Sequence, residues 1–327
     1  MSHKSVFRSE YMKKILSLTV AGVLSLAFTF TAHAAGRADA VPTGPTITVT
    51  HMSGVTQMPI NPTRVVVFDL GILDTMEALG LERYIIGLPM NVMPRSLARF
   101  GQSPFVNLGT LHQPNFELIV AQNPDLIIIS GRARPAFAEL SRIAPTIDLA
   151  LDNNNIMESF RRNNTYLGRI FSREAEMDVM LSNIDSQIAE VSRYAQALGS
   201  GTLIMMHNQG ALRAFGPGSR FGLIHDVLGL VPADPNIPPV GHGHVISNEF
   251  IVAHNPDIML VLDRNYITDR TPTPRHDIEN ELVRLTRAYN NGNIFYLDTE
   301  LWYLVVGGVQ GKSAKIAEIS NAVRNVQ

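Results

Sequence analysis

The chain carries one pattern twice. Residues 117–129 read ELIVAQNPDLIII and residues 249–261 read EFIVAHNPDIMLV, 132 positions apart, and at the same offset Arg132 corresponds to Arg264. Each copy predicts a short helix opened by a glutamate, an Asn-Pro-Asp turn, a buried apolar strand and an arginine at the strand's C-terminal end. Ahead of the copies, EALGL (77–81) and DVLGL (226–230) each close a helix. A duplication of this kind constrains the chain to two similar α/β lobes. Two lobes imply a cleft between them, and an arginine from each lobe implies that what enters the cleft is anionic.

The flanking segments agree with that frame. ITVTH (47–51) and NPTRVVVFDL (61–70) predict strands, GILDTMEALGLE (71–82) and AFAELSRIA (136–144) helices, and TIDLA (146–150) another strand. In the second half TLIMMH (202–207) predicts a strand and GPGSRFG (216–222) a turn entering a helix that runs to Leu230. HGHVIS reads as a loop, NGNIFYLDTELWYLVVGG (291–308) as a strand and then an aromatic loop, and KSAKIAEISNAVRNV (312–326) as a closing helix. Strands alternating with helices predict parallel sheets. Between the halves, Ser172, a good N-cap, opens a stretch to Leu198 without glycine or proline. Its apolar residues Met177, Met180, Leu181, Ile184, Ile188, Val191, Tyr194 and Leu198 keep helical spacing. Such a helix spans roughly 40 Å and is expected to be a stiff spine. The expected fold is therefore α/β: two Rossmann-like lobes, 35–153 and 200–327, joined through a segment 154–199 that carries the long helix.

The N-terminus reads as a processing signal. Lys13 and Lys14 form a basic n-region, Ile15 to Phe30 an apolar h-region, and Ala32-His33-Ala34 a small-x-small cleavage site, with Met12 the expected natural start. Cleavage near Ala34 would leave a loose, small and polar mature start at 35–46. No other stretch is long and apolar enough to span a bilayer. The chain has no cysteine, which excludes disulfides and a lipobox, so an unanchored, soluble periplasmic monomer is expected. Residues 1–34 hold four basic and one acidic residue, so removing them takes the formal net charge from −2 to −5. That balance argues against a nucleic-acid partner. An anion-binding site would have to concentrate a few arginines locally.

Three groups carry candidate chemistry. Arg132, Arg220 and Arg264 come first: two stand at equivalent strand ends and the third in a glycine-rich loop entering a helix. Any single arginine is by default a solvated surface charge, and Arg134 competes with Arg132. Three at such positions point to a site, because the carboxyl ends of strands face the crevice and guanidinium forks suit oxygen ligands. The second group is His242 and His244 in GHGH. A dedicated zinc site needs three or four His, Cys or carboxylate ligands, which the sequence does not cluster. Third, Tyr303 in LWYLVVGG is either an aromatic cap or, as a hard phenolate, a ligand for ferric iron. A histidine and a tyrosine together would fill two iron positions left open by a ligand with four donors. Glu117 and Glu249 open the repeat helices, where they complement the helix dipole or dock a partner with paired basic sites. GGVQGKS (307–313) imitates a phosphate loop, but Val306 stands where the first glycine belongs. There is no Ser-His-Asp or nucleophile-elbow arrangement, so catalysis finds no support.

The segments ISGR (129–132), GSRFG (218–222), HGHVISNEF (242–250), NPDIMLVLDRN (255–265) and YLDTELWYL (296–304) resemble the class III, helical-backbone periplasmic substrate-binding proteins. Within that family the chain is similar to the ferric catecholate-siderophore binders of ABC importers. The resemblance implies that Arg132, Arg220 and Arg264 hold catecholate oxygens, and that His242 and Tyr303 complete the iron shell of tetradentate siderophores. His244 falls where the motif usually has a polar residue. The resemblance also implies that Glu117 and Glu249 meet arginines of an inner-membrane permease, and that no cofactor is permanently bound, Fe(III) travelling as siderophore complex. Haem is the nearest competing ligand, since His and Tyr both ligate it. An enzyme acting on an oxygen-rich anion in the same cleft is the alternative of another class.

Overall fold

The computed structural model describes residues 44–326; the signal segment, the cleavage site and most of the expected loose start lie outside them. The chain opens with a hairpin, β1 (Thr46–His51) and β2 (Gly54–Pro59). A first α/β unit follows: β3 (Val65–Phe68), α1 (Leu70–Ala78), β4 (Ile85–Leu88), β5 (Val106–Asn107), α2 (Phe116–Gln122), β6 (Leu126–Ile129), α3 (Phe137–Leu140) and β7 (Thr146–Asp148). Helices α4 (Ile156–Ile170) and α5 (Glu174–Leu198) lead to a second unit. It contains β8 (Thr202–Asn208), β9 (Ala211–Phe215), β10 (His244–Ile246), α6 (Asn248–His254), β11 (Ile258–Asp263), α7 (Asn265–Asp269), α8 (Arg275–Ile278), α9 (Arg287–Asn290), β12 (Ile294–Tyr296) and α10 (Thr299–Leu304), and α11 (Val309–Arg324) closes the chain.

The first sheet runs β5-β4-β3-β6-β7, all parallel. The second runs β10-β9-β8-β11-β12, parallel across β8, β11 and β12 but antiparallel at β9 and β10. The expected loop HGHVIS thus becomes in part an edge strand, because a tight β8–β9 hairpin turns the chain back.

The repeat has a local physical purpose in both units. Asn115 caps α2 by accepting from the Leu118 amide, and Ser247 caps α6 by accepting from Phe250. Asn123 and Asn255 end the two helices in the left-handed conformation, with φ of 45° and 41°, which asparagine tolerates better than most residues. The turn aspartates then tie each copy to the first strand of its unit. Asp125 accepts from the amides of Thr63 and Arg64 ahead of β3, and Asp257 accepts from Gly201 ahead of β8.

Strand alternation divides the core. Leu126 and Ile128 of β6, with Ile258, Leu260 and Leu262 of β11, face one shared cluster that includes Leu181 and Ile184 of α5 and Ile316 and Ile319 of α11. The intervening Ile127 and Ile129 face a separate cluster under α2 and α3, and Met259 and Val261 another under α6 and α9. Each sheet is therefore buried on both faces, which is why its strands read as unbroken apolar runs.

Two elements differ from expectation. The long helix starts at Glu174 rather than at Ser172, which has φ 52° and does not cap it. Residues 299–304, expected as loop, form α10, capped by the Asp298 carboxylate on the Leu301 amide.

Helix α11 packs across α1 through a buried carboxylate. Asp74 accepts from the amides of Gln310 and Gly311, and Gly308 leaves no room for a side chain beside it. Burial raises the Asp74 carboxyl to about 6 against the opposing pull of those two amides. An acid held more tightly in the folded state adds stability as pH falls from about 6 towards 4, and loses it as pH rises through that window. Relative to Asp74→Asn, the unmodified protein should gain on the order of 2 kcal/mol between pH 6 and 4, and nothing between pH 7 and 8. Denaturant melts across that range measure it.

Candidate functional site

The three predicted arginines meet around one side chain. Arg132 follows β6 in the first unit, Arg264 follows β11 in the second, and Arg220 precedes a π-helical turn, Leu223–Val227. Their guanidinium carbons lie 5.6, 5.3 and 4.4 Å from the centre of the Tyr303 ring. Arg132 donates to the Tyr303 carbonyl at 2.7 Å, Arg220 to the same oxygen at 3.4 Å, and Arg264 to the Asn208 amide oxygen at 2.9 Å. Among the described residues none of the three pairs with a carboxylate. Arg134, the rival of Arg132, is committed elsewhere: its Nε donates at 2.5 Å to the buried Asp148.

These groups line a groove at the carboxyl ends of β6, β8 and β11, the edge where parallel sheets place ligands. It has two compartments, both bordered by Arg220, His242 and Tyr303. One, of about 170 Å³, adds Asn208, Arg213, Phe215 and Arg264. The other, of about 290 Å³, adds Arg132, His112 and Asp69. Asp69 accepts from the Gly71 and Ile72 amides and from the Ser130 hydroxyl, and it pairs with none of the three arginines. A larger depression of 480 Å³ lies on the other face of the second sheet, around His207, Asp269 and Asp277. It holds none of the three arginines.

The electrostatics of the groove are dominated by these three cations. Burial pulls the Arg220 pKa down, and neighbouring Arg132 and Arg264 push the same way against Tyr303. Burial pushes the Tyr303 phenol up, but Arg264 beside it and the charges of Arg220 and Arg132 outweigh that and hold it below its ordinary value. A partly buried phenol poised towards phenolate is a ready hard donor for a trivalent cation.

The two histidines separate. His242 borders both compartments, whereas His244 starts β10 and borders neither. Glu117 and Glu249 are exposed in the first turns of α2 and α6, away from the groove. In the phosphate-loop imitation, Lys312 is buried with its Nζ 4.7 Å from the Phe160 ring centre. It faces the core and not a ligand.

A family model described as "Periplasmic binding protein" matches residues 65–301. The chain belongs to this family. It is 41% identical to the petrobactin-binding protein YclQ of Bacillus subtilis over 85% of this chain and 88% of that one. It is 30% identical to the ferric-anguibactin-binding protein FatB of Vibrio anguillarum over 84% and 86%. The crystal structure of YclQ superposes with a TM-score of 0.83, covering 85% of this chain and 99% of that one. That of the periplasmic catecholate-siderophore binding protein VctP of Vibrio cholerae, 34% identical, gives 0.81 over 85% and 100%. This periplasmic binding protein accordingly has the two-lobed α/β architecture of the class III type.

Sequence reasoning did not single out Arg213 or Asn208. On β9, Arg213 and Phe215 alternate with Leu212 and Ala214, which pack in the opposite cluster. That period of two was readable; which face fronts the groove was not.

The cation cluster makes a prediction free of any ligand. Following phenolate absorbance with pH, Tyr303→Phe should remove a phenol that titrates early. Arg264→Met should shift that phenol upward while leaving the others in place.

Proposed function

We propose that the chain is a periplasmic receptor that captures a ferric catecholate siderophore and delivers it to an inner-membrane ABC transporter. The observation that carries this reading is the convergence of three unpaired guanidinium groups, one from the first unit and two from the second, on Tyr303. A ferric catecholate complex is an anion whose charge lies on oxygens, and forked N–H donors in a partly dry groove bind such oxygens through charge-assisted bonds. Arg132, Arg220 and Arg264 then neutralise the complex. His242 and Tyr303 close the iron shell when the siderophore supplies only four donors, and iron is cargo, with no cofactor permanently bound. The relatives named for petrobactin, ferric anguibactin and catecholate siderophores support an iron-chelate ligand. The charged lining disfavours haem, which needs mainly an apolar slot.

The test titrates purified protein with iron complexes of a tetradentate and a hexadentate catecholate and with haem, following Trp302 fluorescence and charge-transfer absorbance. Both catecholate complexes should quench; quenching by haem alone would refute the reading. Combining His242→Ala with Tyr303→Phe should weaken the tetradentate complex at least tenfold more than the hexadentate one, on the order of the cost of losing metal-shell groups. Equal losses would remove the ligand role.

Delivery is assigned to Glu117 and Glu249. Both are exposed, neither joins an ion pair with a described residue, and the repeat places them at equivalent positions of the two units. Replacing both with alanine should leave chelate affinity unchanged and abolish iron uptake through the reconstituted importer. A parallel loss of affinity would place them in the binding machinery instead.

A further inference from the structure

We propose that Arg213 is a positioning residue for His242, holding the turn that carries the imidazole so that it faces the iron. The inference rests on the reading of His242 as an iron ligand.

His242 has little else to orient it. Its side chain is exposed and makes no hydrogen bond with a described residue, and Gly241 before it has open space around its Cα. The turn is closed by one backbone bond, from the Gly243 amide to the Val240 carbonyl at 2.9 Å. On the far side it is anchored at Gly243. That residue has φ 81°, and a Cβ there would come within 2.6 Å of the Phe215 ring, so only glycine lets the turn lie flat on the phenyl face. From the same strand face as Phe215, Arg213 donates through Nη1 to the Gly243 carbonyl at 3.3 Å. The β9–β10 ladder pairs Arg213 with Val245 and keeps that guanidinium beneath the turn.

A ligating imidazole binds metal well only when its orientation is set in advance, and loss of an outer partner commonly costs ten- to a hundredfold in metal affinity. With Phe215 alone, the turn would rest on a flat ring that resists compression but not rotation. The hydrogen bond from Arg213 supplies the missing directional constraint. Arg213 also borders the groove and has no carboxylate partner among the described residues, so the rival role is direct attraction of the chelate's charge. The two roles have opposite signatures. A charge effect falls at least as hard on the more highly charged hexadentate ferric complex, whereas a positioning effect falls on the tetradentate complex, which alone needs His242.

The experiment measures affinities for the ferric complexes of a linear tetradentate bis-catecholamide and a hexadentate tris-catecholamide. It uses the unmodified protein, Arg213→Met, His242→Ala and the double variant. Arg213→Met should weaken the tetradentate complex about tenfold and the hexadentate complex no more than about threefold, and should shift the tetradentate charge-transfer band as His242→Ala does. On the His242→Ala background it should add less than about twofold, because the residue it positions is gone. Losses on the hexadentate complex equal to or above those on the tetradentate one, or full additivity in the double variant, would overturn the proposal. If His242→Ala itself fails to discriminate the chelates, the iron-ligand reading falls first and takes the inference with it; if it discriminates and Arg213→Met does not, the inference alone fails. Should Arg213→Met melt well below the unmodified protein, Arg213→Gln, too short to reach Gly243, repeats the comparison.

Discussion

Everything at this site depends on positive charge that no described carboxylate pairs with. Two unit charges about 8 Å apart repel by on the order of 2 kcal/mol at an effective dielectric near 20, and Arg132, Arg220 and Arg264 crowd one aromatic ring. The fold offsets the repulsion with dipoles in place of carboxylates. The Tyr303 carbonyl, near the C-terminal end of α10, accepts from Arg132 and Arg220, and the Asn208 amide oxygen accepts from Arg264. The ring itself offers its negative face. Beneath it, buried Lys315 donates to the Val305 carbonyl at 2.6 Å, and burial followed by the nearby Lys312 holds its pKa well below the ordinary lysine value. Dipoles orient cations without cancelling their charge. Under the proposed function, an anion entering the groove supplies the counter-charge that no described residue gives these arginines.

The duplication explains how such a cluster is assembled. Each copy is a self-sufficient unit: a capped helix, an asparagine in the left-handed region, an aspartate tied to the neighbouring strand, and an apolar strand buried on both faces. Each copy sends to the groove the arginine just past its strand. The two arginines therefore come from rigid, independently braced elements, and their separation is set by the packing of both sheets against α5 and α11. Arg220 and Tyr303 come from outside the repeat and make the site asymmetric.

The frame of the molecule was legible because it is written in periodicity. Unbroken apolar runs at 126–129 and 258–262 meant strands buried on both faces, and three-four spacing from Met177 to Leu198 meant the long helix. What escaped depended on tertiary context. Nothing local in DTELWYL distinguishes a loop from the six-residue α10, because a helix that short is stabilised by its cap and its packing, not by propensity. Arg213 was invisible for a related reason: strand alternation shows which residues share a face but not what that face meets. That Arg134 is taken up by the buried Asp148 and Arg132 is not was likewise hidden, because it depends on how β6 and β7 pair. That His242 borders the groove while His244 opens β10 follows from the β9–β10 pairing, which no local pattern announces.

Helix α10 contains its own control for the functional argument. Three residues before Tyr303, the buried Glu300 accepts from the Arg95 amide at 3.0 Å and its Nε at 3.1 Å, and it pairs with Arg270, which also donates to the Met93 carbonyl. There the chain brought arginines from both units together and supplied a carboxylate to receive them, as a buried charge requires. Less than one helical turn away, the same helix receives three more arginines on a carbonyl and a ring and supplies no acid at all. The difference is not one of available chemistry, since Asp69 borders the groove and spends its carboxylate on amides and a hydroxyl instead. Leaving those arginines without a counter-charge costs stability, and under the proposed function that counter-charge arrives from solution with the ligand.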